Sequence, residues 1–252
     1  MTSSQPAHRT KHIPLLPCLF NNARFSLVQR ADGVSNGTAL WLGGQCLALF
    51  LAQAHLKFAR SALHPRPRAI ELGSGIGLTA LALCSLGWDV LATDIPHVIS
   101  SVLAKNISHN LSALPLDSGI VQIRELDWSV PPEKWMWDHD HVIASHSEPP
   151  FDIIISADTV YSLDLIEPML RTLHALSTLS LSASRYPPIL LCIERRDPAL
   201  VDRLLTDAKE LWSFSVERIP HKKLAKAVEK GSQWDKSDWE GVELWKFKLN
   251  PK

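Results

Sequence analysis

Glu71, Gly73, Gly75 and Gly77 lie together in the run ELGSGIG, directly before the apolar stretch LTALAL. Glycines at alternate positions permit positive φ and leave no side chain between the backbone and a ligand resting on it. Phosphate is the first group such a turn suggests. The dinucleotide fingerprint G-x-G-x-x-G, however, needs a glycine at position 78, and this chain has Leu78 there. Asp94 follows Gly73 by 21 residues, a separation that suits a carboxylate accepting both hydroxyls of a ribose. A nicotinamide dinucleotide and S-adenosylmethionine would both use it. Glu71 leans the balance to S-adenosylmethionine, because a carboxylate beside the turn repels a pyrophosphate and tolerates ammonium and sulfonium groups.

Two further pairs stand at the ends of apolar runs. RELDWS carries Asp127 and Trp128, an acid that could accept from an adenine amino group and an indole that could cover the ring. Trp128 could equally anchor the loop that follows. SADTVYS carries Asp158 and Tyr161, a carboxylate and a phenol that would stand beside a cofactor's reactive group. The structural alternative makes Asp158 the cap of a helix starting at Thr159, with Tyr161 packed inward.

These residues need a scaffold that brings strand ends together. From Arg68 onward short β-branched or apolar runs alternate with stretches of helical period, the pattern of an α/β fold with a mostly parallel sheet. Seven strands are expected at 69–72, 89–94, 120–126, 152–158, 189–195, 213–219 and 242–249. Helices are expected near 77–87, 97–111, 162–179 and 198–211, the last with Asp197 as cap and Pro198 at its first position. QCLALFLAQAHLKFA (45–59) reads as a helix packed on the sheet. Before it, RFSLVQRADGVSNGTALW has Asp-Gly and Asn-Gly turn signals between apolar runs, which predicts a small hairpin. Residues 1–67 are therefore expected to form an extension packed on a ligand-binding domain of 68–252, the whole making one compact unit.

The chain has 252 residues, 46% apolar and 21% charged, enough for one domain with a sizeable core. Its 26 basic and 26 acidic residues balance, so no long-range field favours nucleic acid or an anionic membrane. Cys18, Cys46, Cys84 and Cys192 show no CxxC spacing; they read as reduced thiols, and the expected location is the cytoplasm and also the nucleus. No secretory signal and no apolar run of membrane-spanning length is visible.

Weaker signals have bland readings. His139, His141 and His146 with Asp138 and Asp140 could be drawn as a metal site, but the segment reads as a solvated loop and no metal is expected. The lysine-rich run HKKLAKAVEK (221–230) reads as a solvated helix face rather than a docking patch. Arg195 and Arg196 could line a substrate cleft, although charges at a strand end are usual. Residues 131–150 and 177–188 look like excursions from the core.

The ordered set ALW with Trp41, ELGSGIG, TD ending in Asp94, NISHN with Asn106 and Asn110, LDW with Trp128, and ADTVY resembles the seven-β-strand methyltransferases. Within them it is most similar to family 16, mostly protein-lysine methyltransferases. The resemblance covers about residues 38–165, with CIERRD as a less specific addition. It departs where Leu-Gly-Gly follows Trp41, since many relatives have a proline first. It implies a Rossmann-like seven-stranded sheet with helices on both faces. It also implies that Trp41, Gly73, Ser74, Gly75, Asp94, Trp128 and Ala157 contact S-adenosylmethionine, with Asp158 and Tyr161 facing an incoming lysine. Glu71, Gly77 and Asp127 join the cofactor set on the charge and backbone grounds above. The expected activity is methyl transfer to a lysine of another protein by a monomer that acts on neither membrane nor nucleic acid. The rivals are a small-molecule or nucleic-acid methyltransferase, against which ADTVY in place of an N-P-P-Y motif speaks in part, and a non-catalytic cofactor-binding scaffold.

Overall fold

A computed structural model of the chain describes residues 5–30, 36–59, 66–135 and 149–251. Two antiparallel strands, β1 (Leu15–Phe20) and β2 (Ala23–Val28), form a hairpin and are followed by α1 (Leu42–Ala54). Then come β3 (Arg68–Leu72), α2 (Leu78–Ser85), β4 (Asp89–Asp94), α3 (Ala104–Asn110), β5 (Val121–Glu125), β6 (Ile153–Ala157), α4 (Ile166–Leu179), β7 (Ile189–Glu194), α5 (Pro198–Glu210), β8 (Phe214–Arg218), α6 (His221–Gly231) and β9 (Val242–Leu249). The seven strands from β3 onward form one sheet in the order β5-β4-β3-β6-β7-β9-β8. The first five are parallel, and β9 enters antiparallel between β7 and β8.

Period-two alternation sorts the sheet's side chains onto two cores. Ala69, Ala92, Ile155 and Cys192 face the hairpin, α1, α2, α3 and α6. Ile70, Leu72, Ile154 and Leu191 face α4 and α5. The hairpin and α1 thus share one continuous apolar core with the sheet. All four cysteines are free and buried. Among the described residues no helix is long and apolar enough to cross a membrane.

Strand positions follow the expected runs within a residue or two. The hairpin forms earlier in the chain than its turn signals suggest: it reverses at Asn21 and Asn22, with Asn21 at φ 49°. Asp32-Gly33 lies outside the described residues, and Asn36-Gly37 opens a short 3-10 turn, Asn36–Thr38. Buried Asn106 and Asn110 on α3 explain why this hairpin is held in place. Asn106 accepts the Val28 N–H at 2.7 Å and donates to the Val28 carbonyl at 2.8 Å, while Asn110 does the same for Ser26 at 2.7 and 3.0 Å. Two amide side chains act as a neighbouring strand for β2 and satisfy backbone groups that would otherwise be stranded. Asn106 also donates to the Ile76 carbonyl at 2.9 Å, tying the hairpin to the glycine turn.

α5 begins as its sequence predicts, with the Asp197 carboxylate accepting the Leu200 N–H at 3.1 Å and Pro198 at the first position. α3 is reached through a helical turn, Pro96–Val98, and a π-helical turn, Ile99–Leu103. The 177–188 excursion is the end of α4 and a tight turn bridged at Ser182 and Arg185, with Ala183 and Ser184 at positive φ. Most of the 131–150 excursion, including His139, His141 and His146, lies outside the described residues.

Candidate functional site

The chain turns from β3 to β4 on one side and to β6 on the other, so the order reverses at β3. Open α/β sheets place ligands at the carboxyl ends of strands beside such a reversal. A cavity of about 230 Å³ lies there. Its walls include Trp41, Gly73, Gly75, Asp94, Asp127, Trp128, Ala157, Asp158 and Tyr161. Residues from five places in the sequence thus meet at one sheet edge.

The glycine turn after β3 has Gly73 at φ 66° and Gly75 at φ 55°. A β-carbon on Gly73 would stand 2.6 Å from Thr159 Cγ2, and one on Gly75 would stand 3.1 Å from the Gly37 carbonyl oxygen. Asp94, at the end of β4, accepts the Gly75 N–H at 2.8 Å through Oδ2 and the Ile95 N–H at 2.9 Å through Oδ1. Each oxygen keeps a lone pair for a ligand hydroxyl. Burial pushes this carboxyl up to about 6, against the pull of those two amides. Asp127 turns its loop by accepting the Ser129 N–H at 2.8 Å. Trp128 lies over Gly73, and its indole Nε1 is buried without a partner.

Three residues of the expected cofactor set do not line the cavity. The Ser74 hydroxyl accepts the Thr93 N–H at 3.1 Å, and the Ser74 N–H donates to the Thr93 carbonyl at 2.9 Å, so this residue staples the turn to β4. Gly77 begins α2 at φ 85°, and a β-carbon there would stand 2.9 Å from Leu103 and 3.1 Å from Ile107. Its glycine is a packing requirement. Glu71 shares the sheet face of Ala69 and so points beneath α2. It is 2% exposed, and its Oε2 has no hydrogen-bond partner. Burial pushes its carboxyl up to about 8, opposed by the Ser74 and Thr79 hydroxyls. At neutral pH in the free protein it is mostly neutral, so it does not supply the repulsion of pyrophosphate that its position in the sequence suggests.

Asp158 caps a helix, but not the one that follows it. The residue sits at φ 53°. Its Oδ2 accepts the Gly43 N–H in the first turn of α1 at 2.6 Å, and its Oδ1 accepts the Glu194 N–H at the end of β7 at 2.8 Å. Burial raises its pKa, while these two amides and Arg196 hold it down. A β-carbon on Gly43 would stand 2.7 Å from Asp158 Oδ2, which accounts for a glycine soon after Trp41. Tyr161 does not pack inward. It is 59% exposed and opens onto the cavity, with burial of its hydroxyl and the charge of Asp94 raising the phenol pKa.

Trp41 donates from Nε1 to the Asn36 carbonyl at 2.6 Å. The Lys11 ammonium lies 3.5 Å and the Arg196 guanidinium 4.5 Å from its ring centroid. Arg196 pairs with Glu194 at 3.1 Å. Arg195 is committed to Asp202 and Glu243 at 2.6 and 3.2 Å, away from the cavity. Sequence reasoning missed Asn36 and Gly37, which line the cavity, and Lys11, which packs on Trp41 without lining it; no local signal marks them. It also missed Ile95, Val98, Ser129, Thr159 and Asp164, flanks of motifs it did find. Among the described residues no His, Cys, Asp and Glu cluster could hold a metal. On α6 Leu224, Ala227 and Val228 are buried while Lys222, Lys223, Lys226 and Lys230 are exposed.

The walls suit a nucleoside carrying an amino-acid tail. Gly73 and Gly75 present backbone without side chains, Asp94 offers lone pairs to ribose hydroxyls, and Trp128 and Trp41 give flat surfaces.

A family model described as lysine methyltransferase matches residues 20–210. The chain is 31% identical over 199 residues to the mouse protein-lysine methyltransferase METTL21E, covering 77% of this chain and 72% of that protein. It is 31% identical over 109 residues to EEF1A lysine methyltransferase 3 of Xenopus tropicalis, covering 43% and 41%. It is 32% identical over 104 residues to the yeast protein-lysine N-methyltransferase EFM2, covering 38% and 22%. Apart from the mouse protein, then, the chain spans less than half the length of these relatives. A Streptococcus mutans chain assigned to the SAM-dependent methyltransferases matches the fold with a TM-score of 0.53 at 14% identity, covering 94% of this chain and 56% of that one.

Proposed function

The chain belongs to the lysine methyltransferase family, its cofactor is S-adenosylmethionine, and from that premise we propose that it methylates a lysine side chain of another protein in the cavity at the β3–β6 reversal. The observation that carries this reading is the convergence of Gly73, Gly75, Asp94, Trp128, Asp158 and Tyr161 on one cavity.

When bound, the cofactor supplies a methyl carbon on a cationic sulfur, so transfer moves positive charge and needs alignment more than acid catalysis. Fixed geometry of this kind contributes about 7–11 kcal/mol. Gly73, Gly75 and Asp94 hold the nucleoside by backbone and ribose; Trp128, Trp41 and Ala157 cover it. A free lysine has a pKa of about 10.4 and arrives protonated. Asp158 attracts that ammonium but also favours its charged form, so its contribution is capture and orientation. With both oxygens already accepting amides, it is equally a positioning residue, holding α1 and thereby Trp41. Tyr161, exposed at the mouth, covers the incoming amine with its ring face or accepts from it. The neighbourhood of a cationic sulfur and the loss of solvent then favour release of the proton to water.

The protein acts as a monomer on protein; its balanced charge speaks against nucleic acid, and its four buried free thiols fit a reducing compartment such as the cytoplasm or nucleus. The test is calorimetry with S-adenosylmethionine, then transfer of radioactive methyl into a cell lysate by the native chain and by Tyr161→Ala. A labelled lysine in a discrete protein, with turnover reduced and cofactor affinity retained in Tyr161→Ala, is the expected result. Binding of a nicotinamide dinucleotide in place of S-adenosylmethionine would overturn the assignment, and cofactor binding without any label would favour a scaffold.

A further inference from the structure

Lys11 lies on the turn between the 3-10 helix Ala7–Arg9 and β1. Its ammonium rests on the ring of Trp41, 3.5 Å from the centroid, and donates to the Leu40 carbonyl. Trp41 is itself a wall of the cavity. A lysine of this chain therefore stands against the aromatic wall of a lysine methyltransferase site. We infer that Lys11 is a methyl acceptor in its own chain, so that the enzyme methylates itself at this residue. The inference rests on the lysine methyltransferase reading above.

The charged groups acting on Lys11 are Arg196, Asp158 and Glu194. Burial and Arg196 together bring its pKa down to about 8, with Asp158 and Glu194 opposing them. At neutral pH Lys11 is thus unprotonated far more often than an ordinary lysine, and only the neutral amine can attack. The turn below it is pinned, since Gln29 Nε2 donates to the Thr10 and Ile13 carbonyls at 2.6 and 2.8 Å. From that pinned base the half-buried side chain reaches the Trp41 ring, where Nζ is tied to the Leu40 carbonyl, a contact it must give up to attack.

In the step, the Nζ lone pair forms a bond to the methyl carbon while the carbon–sulfur bond breaks. Its electron pair remains on sulfur, leaving S-adenosylhomocysteine, and the ammonium proton has passed to water beforehand. The product keeps its charge and its attraction to the Trp41 ring, since methylated ammonium groups favour aromatic faces. A third methyl would remove the last donor to the Leu40 carbonyl.

The test has two arms on the whole 252-residue chain. In the first, the purified chain is incubated with labelled S-adenosylmethionine, alone and with a cell lysate, and peptides are mapped by mass spectrometry. Label on Lys11, lost in Lys11→Arg, is expected. No label on Lys11 while a lysate protein is labelled overturns the inference and leaves the activity standing; no label in either mixture removes both. The second arm needs no cofactor. Carbon-13 reductive methylation of the lysines should give one resonance, identified by its loss in Lys11→Arg, that is displaced by the Trp41 ring current and titrates below the other lysines. A Lys11 resonance at the ordinary lysine position and ordinary pKa overturns the placement on which self-methylation depends.

Discussion

The Asp158 carboxylate accepts the Gly43 N–H at 2.6 Å across 115 residues of sequence. An amide at a helix start has no partner within its helix, and here the partner comes from the end of β6. The same carboxylate accepts the Glu194 N–H at 2.8 Å. One side chain thereby joins α1, β6 and β7, and fixes Trp41 at the cavity wall.

Asp158→Ala strips both amides of their acceptor and leaves a β-carbon in a left-handed conformation at φ 53°. The expected loss is about 2–4 kcal/mol of stability, with weaker cofactor binding because Trp41 is no longer held. Asp158→Asn keeps one acceptor oxygen and tolerates this φ, so it should lose clearly less. Urea unfolding of the two variants decides: equal losses would mean the carboxylate is no clamp.

Gly73→Ala should weaken cofactor binding by roughly 5- to 150-fold while the protein still folds. The added β-carbon meets Thr159 Cγ2 at 2.6 Å in a φ 66° backbone, a strain of about 1–3 kcal/mol at the ligand's own contact surface. Calorimetry checks the affinity and a thermal melt the fold; wild-type affinity would show that the ligand lies elsewhere.

Glu71 sets a pH dependence of stability. Its folded carboxyl lies near 8 against an ordinary 4.5, so between those values the folded state keeps a proton that the unfolded chain releases. Stability of the cofactor-free protein therefore falls as pH rises from about 4.5 to about 8, by at most about 1.4 kcal/mol per pH unit from this group. Glu71→Gln should flatten that slope. Denaturation curves at several pH values would refute the account if wild type and variant ran parallel.

Asp94 sets a pH dependence of binding. Its carboxyl lies near 6 in the free protein, and hydroxyl donors from a ribose favour the charged form. Affinity for S-adenosylmethionine should accordingly rise as pH climbs through about 6, by no more than about tenfold per unit. Asp94→Asn should bind weakly and without that dependence; a wild-type affinity that is flat from pH 5 to 7.5 counts against the ribose contact.

Local pattern in the sequence was sufficient for the scaffold and for the neighbourhood of the site. The seven strands, the Asp197 cap with Pro198, the glycine turn and Asp94 were legible because period, propensity and turn chemistry act over a few residues. Tertiary structure decided which side chains of those motifs reach the cavity. Glu71 and Ser74 are in the same short run as Gly73, yet one lies under α2 and the other is stapled to Thr93. Asp158 was visible as a helix cap, but the helix it caps begins more than a hundred residues earlier. Asn36 and Gly37 reach the cavity, and Lys11 reaches Trp41, through contacts such as those of Asn106 and Asn110 with β2 and of Gln29 with the Lys11 turn. A side chain's destination is set by contacts between distant segments, whose energies leave no mark on the spacing of neighbours along the chain.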